Sequence, residues 1–186
     1  MKEKLLIFKN ENINFKNTIS ILLLLGIVSS IFGFIYETFF YRIDLGIFVK
    51  RGSTFGPWIP IYFFGGILIA IFSYRFKEKP LVVFLINSIV TGILEYGTGY
   101  VFYEFFGTRL WDYNTEIWNF GNISGYICLR SVMFFGISSL FLVYLVIPTI
   151  LKLFNKVSEK KFQTISYILT VLFSLDIIIH FLAQHF

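Results

Sequence analysis

At 186 residues, 56% hydrophobic and 21% aromatic, the chain is too apolar for a water-soluble domain of its size, and its mean hydropathy is +0.76. The net charge of +5 does not point to nucleic acid, because the basic residues sit in short segments between apolar runs, where membrane topology determinants belong. A single cysteine, Cys128, excludes an internal disulfide and a cysteine-rich metal site.

The apolar runs are about twenty residues long, the length that crosses the hydrocarbon of a bilayer. The first, at 18–41, follows a basic arm as a secretory signal would, but it is too long, contains Glu37 and lacks a small-x-small cleavage site. It reads as a retained span. A connection at 42–56, RIDLGIFVKRGSTFG, mixes aromatics, glycines and charges. Gly56-Pro57 opens a second span at 57–75, and Pro80 precedes a third at 81–103. The segment 104–124, EFFGTRLWDYNTEIWNFGNIS, is a second elaborate loop. A fourth span at 125–149 is closed by Pro148, and a fifth covers 162–184. The expected fold is all-α: a polytopic membrane bundle of about five helices, one integral membrane domain over 1–186, with short interfacial helices in the two elaborate loops.

Lysine and arginine are distributed unevenly between the two sides. Eleven lie in the N-terminal arm and in the second-to-third and fourth-to-fifth connections, against four in the other two connections. The positive-inside rule then places the N-terminus in the cytoplasm and the C-terminus outside. Trp58, Trp111 and Trp118 all fall on the outer side, and the inner connections, about six and twelve residues, carry little beyond positive charge. Any chemistry belongs to the outer face.

Four spans carry an ionisable side chain: Glu37, Glu95, Arg130 and Asp176, with His180 one turn above Asp176. Helical rise puts all four charges in the outer half of the membrane. Such residues are expensive in hydrocarbon unless they face partners or water. One reading is structural, with Arg130 paired to Glu95 or Glu37. The other is an outward-open polar pocket floored by Glu95 and Arg130 and lidded by the loops. Gly92, Gly97 and Gly99 around Glu95 suit either tight helix packing or room for a ligand. In a pocket, Arg51 and Arg130 could clamp an anionic group. Glu37, Glu95 and Asp112 could receive a cation or position the arginines, and Trp111 and Tyr62 would form amphipathic walls.

Two motifs in the loops carry a resemblance. Arg51-Gly52, Gly56-Pro57 and Pro60-Ile61-Tyr62 form the first; Trp111-Asp112-Tyr113, Asn122, and Gly125 with Ile127-Cys128-Leu129-Arg130 form the second. Together they resemble the ABC-transporter permease family of the CmpB type over about residues 20–147. Lys50, Leu110 and Phe63 depart from that pattern. The resemblance implies a bacterial inner-membrane transport component, in contact with membrane lipids and partnered by a separate cytoplasmic ATPase subunit. Glu37, Arg51, Tyr62, Glu95, Trp111, Asp112, Asn122 and Arg130 are the candidate pocket residues. The sequence has no phosphate loop, zinc motif or serine-hydrolase elbow, so no cofactor or metal is expected. Two further readings fit the same residues. One is a membrane enzyme acting on lipid-linked substrates, with Glu95 or Asp112 as acid or base; the other is an accessory subunit without chemistry.

Overall fold

A segment in hydrocarbon must satisfy its backbone groups internally, and helices do so along their whole length. The computed structural model describes Phe8 and residues 13–52 and 54–185; Lys2, Lys4 and Lys9 of the basic arm lie outside the described residues. It contains α1 (Phe15–Leu45), α2 (Pro60–Ser73) with a 3-10 turn at Tyr74–Phe76, α3 (Pro80–Phe106), and α4 (Leu129–Phe141). A π turn at Leu142–Val146 joins α4 to α5 (Ile147–Lys156), and α6 (Glu159–His185) follows. Among the described residues, Phe15–Leu45, Pro80–Phe106, Leu129–Lys156 and Glu159–Ala183 are long and apolar enough to cross a membrane, and Pro60–Phe76 is a shorter apolar helix. The fold is therefore the expected all-α bundle.

Local chemistry sets the ends. The Asn14 side chain accepts from the Asn17 N–H at 2.9 Å to start α1. Pro60 and Pro80 stand in the first turns of α2 and α3, where a missing N–H costs nothing. Gly46 and Gly107 stop α1 and α3 in the left-handed conformation that glycine adopts freely.

Several features differ from the sequence reading. Pro148 does not close the fourth span. The Ile147 N–H bonds back to the Leu142 carbonyl, so the ladder is already shifted to π register just before the proline. The helical rod continues to Lys156. This leaves only Lys77–Lys79 and Val157–Ser158 as inner connections, shorter than the six and twelve residues expected. The outer loops hold turns and one isolated bridge, Ile123 to Ile127, where short interfacial helices were expected.

α1 packs against α2 and α6, α2 against α3, and α3 against α4. The end with the short connections is an apolar core containing Ile21, Leu25, Ala70, Val83, Ile147 and Phe162. Gln163 donates to Asn17 there at 2.7 Å. Toward the outer end, α1 and α2 approach so closely that a Cβ on Gly33 would stand 2.2 Å from the Tyr62 ring. That ring is buried near its base and cannot swing aside cheaply. Gly33→Ala is accordingly expected to lower stability by about 1–3 kcal/mol, read as a fall in the thermal midpoint of the detergent-solubilised protein, with an unchanged midpoint contradicting the packing.

Candidate functional site

The last turns of α1 project into the loops 46–59 and 107–128 and hold them with side-chain bonds. Glu37 accepts from the Arg51 Nε at 3.1 Å, and the Arg51 guanidinium lies 3.6 Å from the centre of the Tyr41 ring. Tyr41 donates its hydroxyl to Glu116 of the loop 107–128. Asp44 accepts from the Ile117 N–H of the same loop at 3.1 Å. These bonds explain why α1 runs four residues beyond its expected end at 41.

Glu116 also accepts from Arg130 at 2.5 Å and is only 7% exposed. Arg130 lies at the start of α4, its guanidinium 4.1 Å from the Phe40 ring centre and 5.3 Å from that of Tyr113. One loop carboxylate thus ties α1 to α4. Arg130 pairs with neither Glu95 nor Glu37, as the sequence reading had allowed, because Glu116 is delivered to it by the loop. Glu95, in mid-α3, instead accepts from the Tyr113 hydroxyl at 2.5 Å and the Ser131 hydroxyl at 2.8 Å. Burial and the neighbouring Glu95 carboxylate push the Tyr113 phenol well above its usual range, so it remains a donor.

These groups surround a cavity of ≈ 40 Å³, room for a few water molecules. Glu37, Arg51, Tyr62, Glu95, Trp111 and Arg130 of the expected set line it. Trp111 is fixed by donating its indole N–H to the Tyr126 carbonyl at 2.9 Å, and its ring lies where a Cβ on Gly99 would stand, 3.2 Å away. Of the three glycines near Glu95, Gly97 has nothing near it, so only part of that cluster serves packing.

Asp112 and Asn122 lie outside the cavity, within the loop. Asp112 pairs with Arg109 at 2.8 Å and accepts from the Asn114 backbone at 3.0 Å and side chain at 2.7 Å. Asn122 donates to Asn114 at 2.7 Å and accepts from the Gly125 N–H at 2.8 Å. Both shape the turn that carries Tyr113 and Glu116. Partial burial works to raise the Asp112 carboxyl, but the Asn114 bonds and the Arg109 cation outweigh it and hold the group below the usual carboxylate range.

Asp176 stands apart from the cavity as well. It accepts from the Phe55 N–H at 2.8 Å, the Gly56 N–H at 2.7 Å and the Trp58 indole at 2.7 Å. It is the anchor by which α6 holds the loop that carries Arg51. The His180 ring, one turn on, lies edge-on to Phe55 with centres 5.0 Å apart.

Sequence reasoning missed Glu116, Tyr113 and Ser131 as members of the site. Glu116 reads as an ordinary solvated loop charge. Its only signal is a setting near two aromatic residues, Tyr113 and Trp118.

The sequence profile of the family described as Putative ABC-transporter type IV matches residues 24–181. The chain belongs to this family. The match reaches into α6, which the two loop motifs had left out, so the helix bearing Asp176 is part of the ABC-transporter type IV pattern. No curated protein matches the chain, and neither does any solved structure. Family membership and the apolar helices make it a multi-pass membrane protein of ABC-transporter type.

Two consequences can be measured. Glu116→Gln leaves the Arg130 guanidinium nearly buried without its counter-charge, and is expected to cost about 3 kcal/mol or more. Glu37→Gln, at a more exposed pair, should cost about 1 kcal/mol or less; equal midpoint shifts for the two variants would contradict this ranking. The contribution of Asp112 follows from its lowered carboxyl. It is fully present above the ordinary carboxylate range and is lost as pH falls through the folded value below that range. Order in the 107–128 loop, followed by hydrogen exchange, should therefore decline at acid pH less steeply in Asp112→Asn than in the parent chain.

Proposed function

We propose that this chain is the membrane component of an ABC-type transport system and that it binds a small polar or amphiphilic solute in the outward-facing cavity between α1, α3 and α4. The observation that supports this most is the convergence of Glu37, Arg51, Glu95, Glu116 and Arg130 on one space at the loop-bearing end. A merely structural ion pair needs no cavity beside it. The rest of the reading follows the sequence. The chain is one integral membrane domain in a bacterial plasma membrane, with its N-terminus cytoplasmic and its C-terminus extracytoplasmic. Its inner face meets a separate cytoplasmic ATPase, since no phosphate loop occurs in this chain to bind ATP.

In the conformation described, the cavity has room for a few water molecules at most, so a solute enters only when an outer loop moves. The loop 46–59 is the candidate gate. It is held at two points, Arg51 on Glu37 and its 55–58 turn on Asp176. Closure over bound solute would exclude water and strengthen each charge interaction inside.

Affinity purification from native membranes tests the partner, with a stoichiometric ATPase as the expected result and recovery of the protein alone as the contrary one. For the cavity, small-molecule profiles of a deletion strain should be restored by the parent chain and not by Glu95→Gln, with both proteins present in the membrane at equal level. Full restoration by Glu95→Gln would remove the cavity from the transport path.

A further inference from the structure

The sequence reading used Arg51 and Arg130 as a clamp for an anion, but in the structure each guanidinium already has a carboxylate partner, although Nε and Nη1 of Arg130 make no hydrogen bond. Arg51 is taken by Glu37 and stacked on Tyr41; Arg130 is taken by Glu116 and stacked on Phe40. What remains is a third carboxylate. Glu95 is 3% exposed, its hydrogen-bond partners are the neutral hydroxyls of Tyr113 and Ser131, and among the described residues no lysine or arginine pairs with it. With every carboxylate ionised, the lining would carry three carboxylates against two guanidiniums, an excess of one negative charge. The walls add to this. Tyr62 and Trp111 also line the cavity, and neither ring has an internal cation over it among the described residues, whereas Tyr36 and Phe134 are stacked on each other with centres 3.6 Å apart. Aromatic faces attract cations, most strongly where water is excluded.

We propose that the cavity is a cation site and that the solute it takes carries an ammonium group, primary or methylated, seated against Glu95 and the Tyr62 and Trp111 side chains. This rests on the cavity being a solute site at all. A metal ion fits less well. Glu37 and Glu116 are already bound to arginines, and no group of three metal-ligating side chains converges among the described residues. An ammonium headgroup asks for one carboxylate and apolar or aromatic walls, which is what the cavity offers. The ≈ 40 Å³ present in this conformation takes a compact headgroup only once the loop 46–59 has moved.

The test is isothermal titration of the full chain in nanodiscs, with empty nanodiscs as the blank. Tetramethylammonium is the cationic probe, tert-butyl alcohol its uncharged analogue and acetate the anion. Saturable binding of the cation, about tenfold or more tighter than either other probe, is the expected result. Glu95→Gln should weaken it about tenfold, and Glu78→Gln, exposed at the inner end, should leave it unchanged. Should Glu95→Gln fail to fold, Trp111→Leu serves in its place, with a loss of about threefold or more. Preferential acetate binding that Arg130→Ala abolishes would overturn the cation assignment while keeping the cavity as a solute site. Absence of binding by all three probes would overturn the cation site and remove support for the transport reading of the cavity together.

Discussion

A largely buried guanidinium has to be met by a carboxylate, and in this chain that requirement reaches across the fold. Arg130 enters from α4, and its partner Glu116 comes from a loop that begins at the far end of α3. Left alone, either charge would cost several kcal/mol. The loop is therefore drawn down onto the helices, and everything it carries goes with it. Tyr113 reaches Glu95, Tyr41 reaches Glu116 and Trp111 settles over Gly99. The cavity is what is left between groups that had to meet for electrostatic reasons.

The two ends of the bundle solve different problems. At the end with connections of two or three residues, apolar side chains and the Asn17–Gln163 bond close the helices against one another. At the outer end the helices are spaced by aromatic rings, which fill volume yet leave polar edges and charged faces for arginine to lie on. Tyr62 is the hinge between these regimes. It packs into the gap left by Gly33 on one side and lines the cavity on the other. A change in helix packing at Gly33 would thus be felt directly in the cavity wall.

α6 contributes to the site without touching the cavity. Much of its surface is exposed in this chain, and its firm hold on the outer end is Asp176, which gathers three N–H groups of the 55–58 turn. Those bonds fix the loop that places Arg51 over Glu37. The family profile extends through this helix, which accords with a role in holding the lid.

By itself the sequence determined the class and the addresses. Runs of apolar residues can only be helices in a bilayer, so the all-α fold followed from length and hydropathy, and the cost of buried charge singled out Glu37, Glu95 and Arg130. It also located the elaborate loops that resemble the ABC-transporter type IV family. What only the tertiary structure decided was the pairing. Spacing along a helix gives depth but not which face meets which, and a loop of more than twenty residues can place a carboxylate almost anywhere at the outer end. Hence Glu116, unremarkable in sequence, became the partner of Arg130, and Asp112 and Asn122 turned out to shape the loop. The same limit left the sign of the site open. Counting charges along the chain shows two arginines near one face; only their contacts show that each already has a carboxylate partner and that Glu95 has only hydroxyl donors.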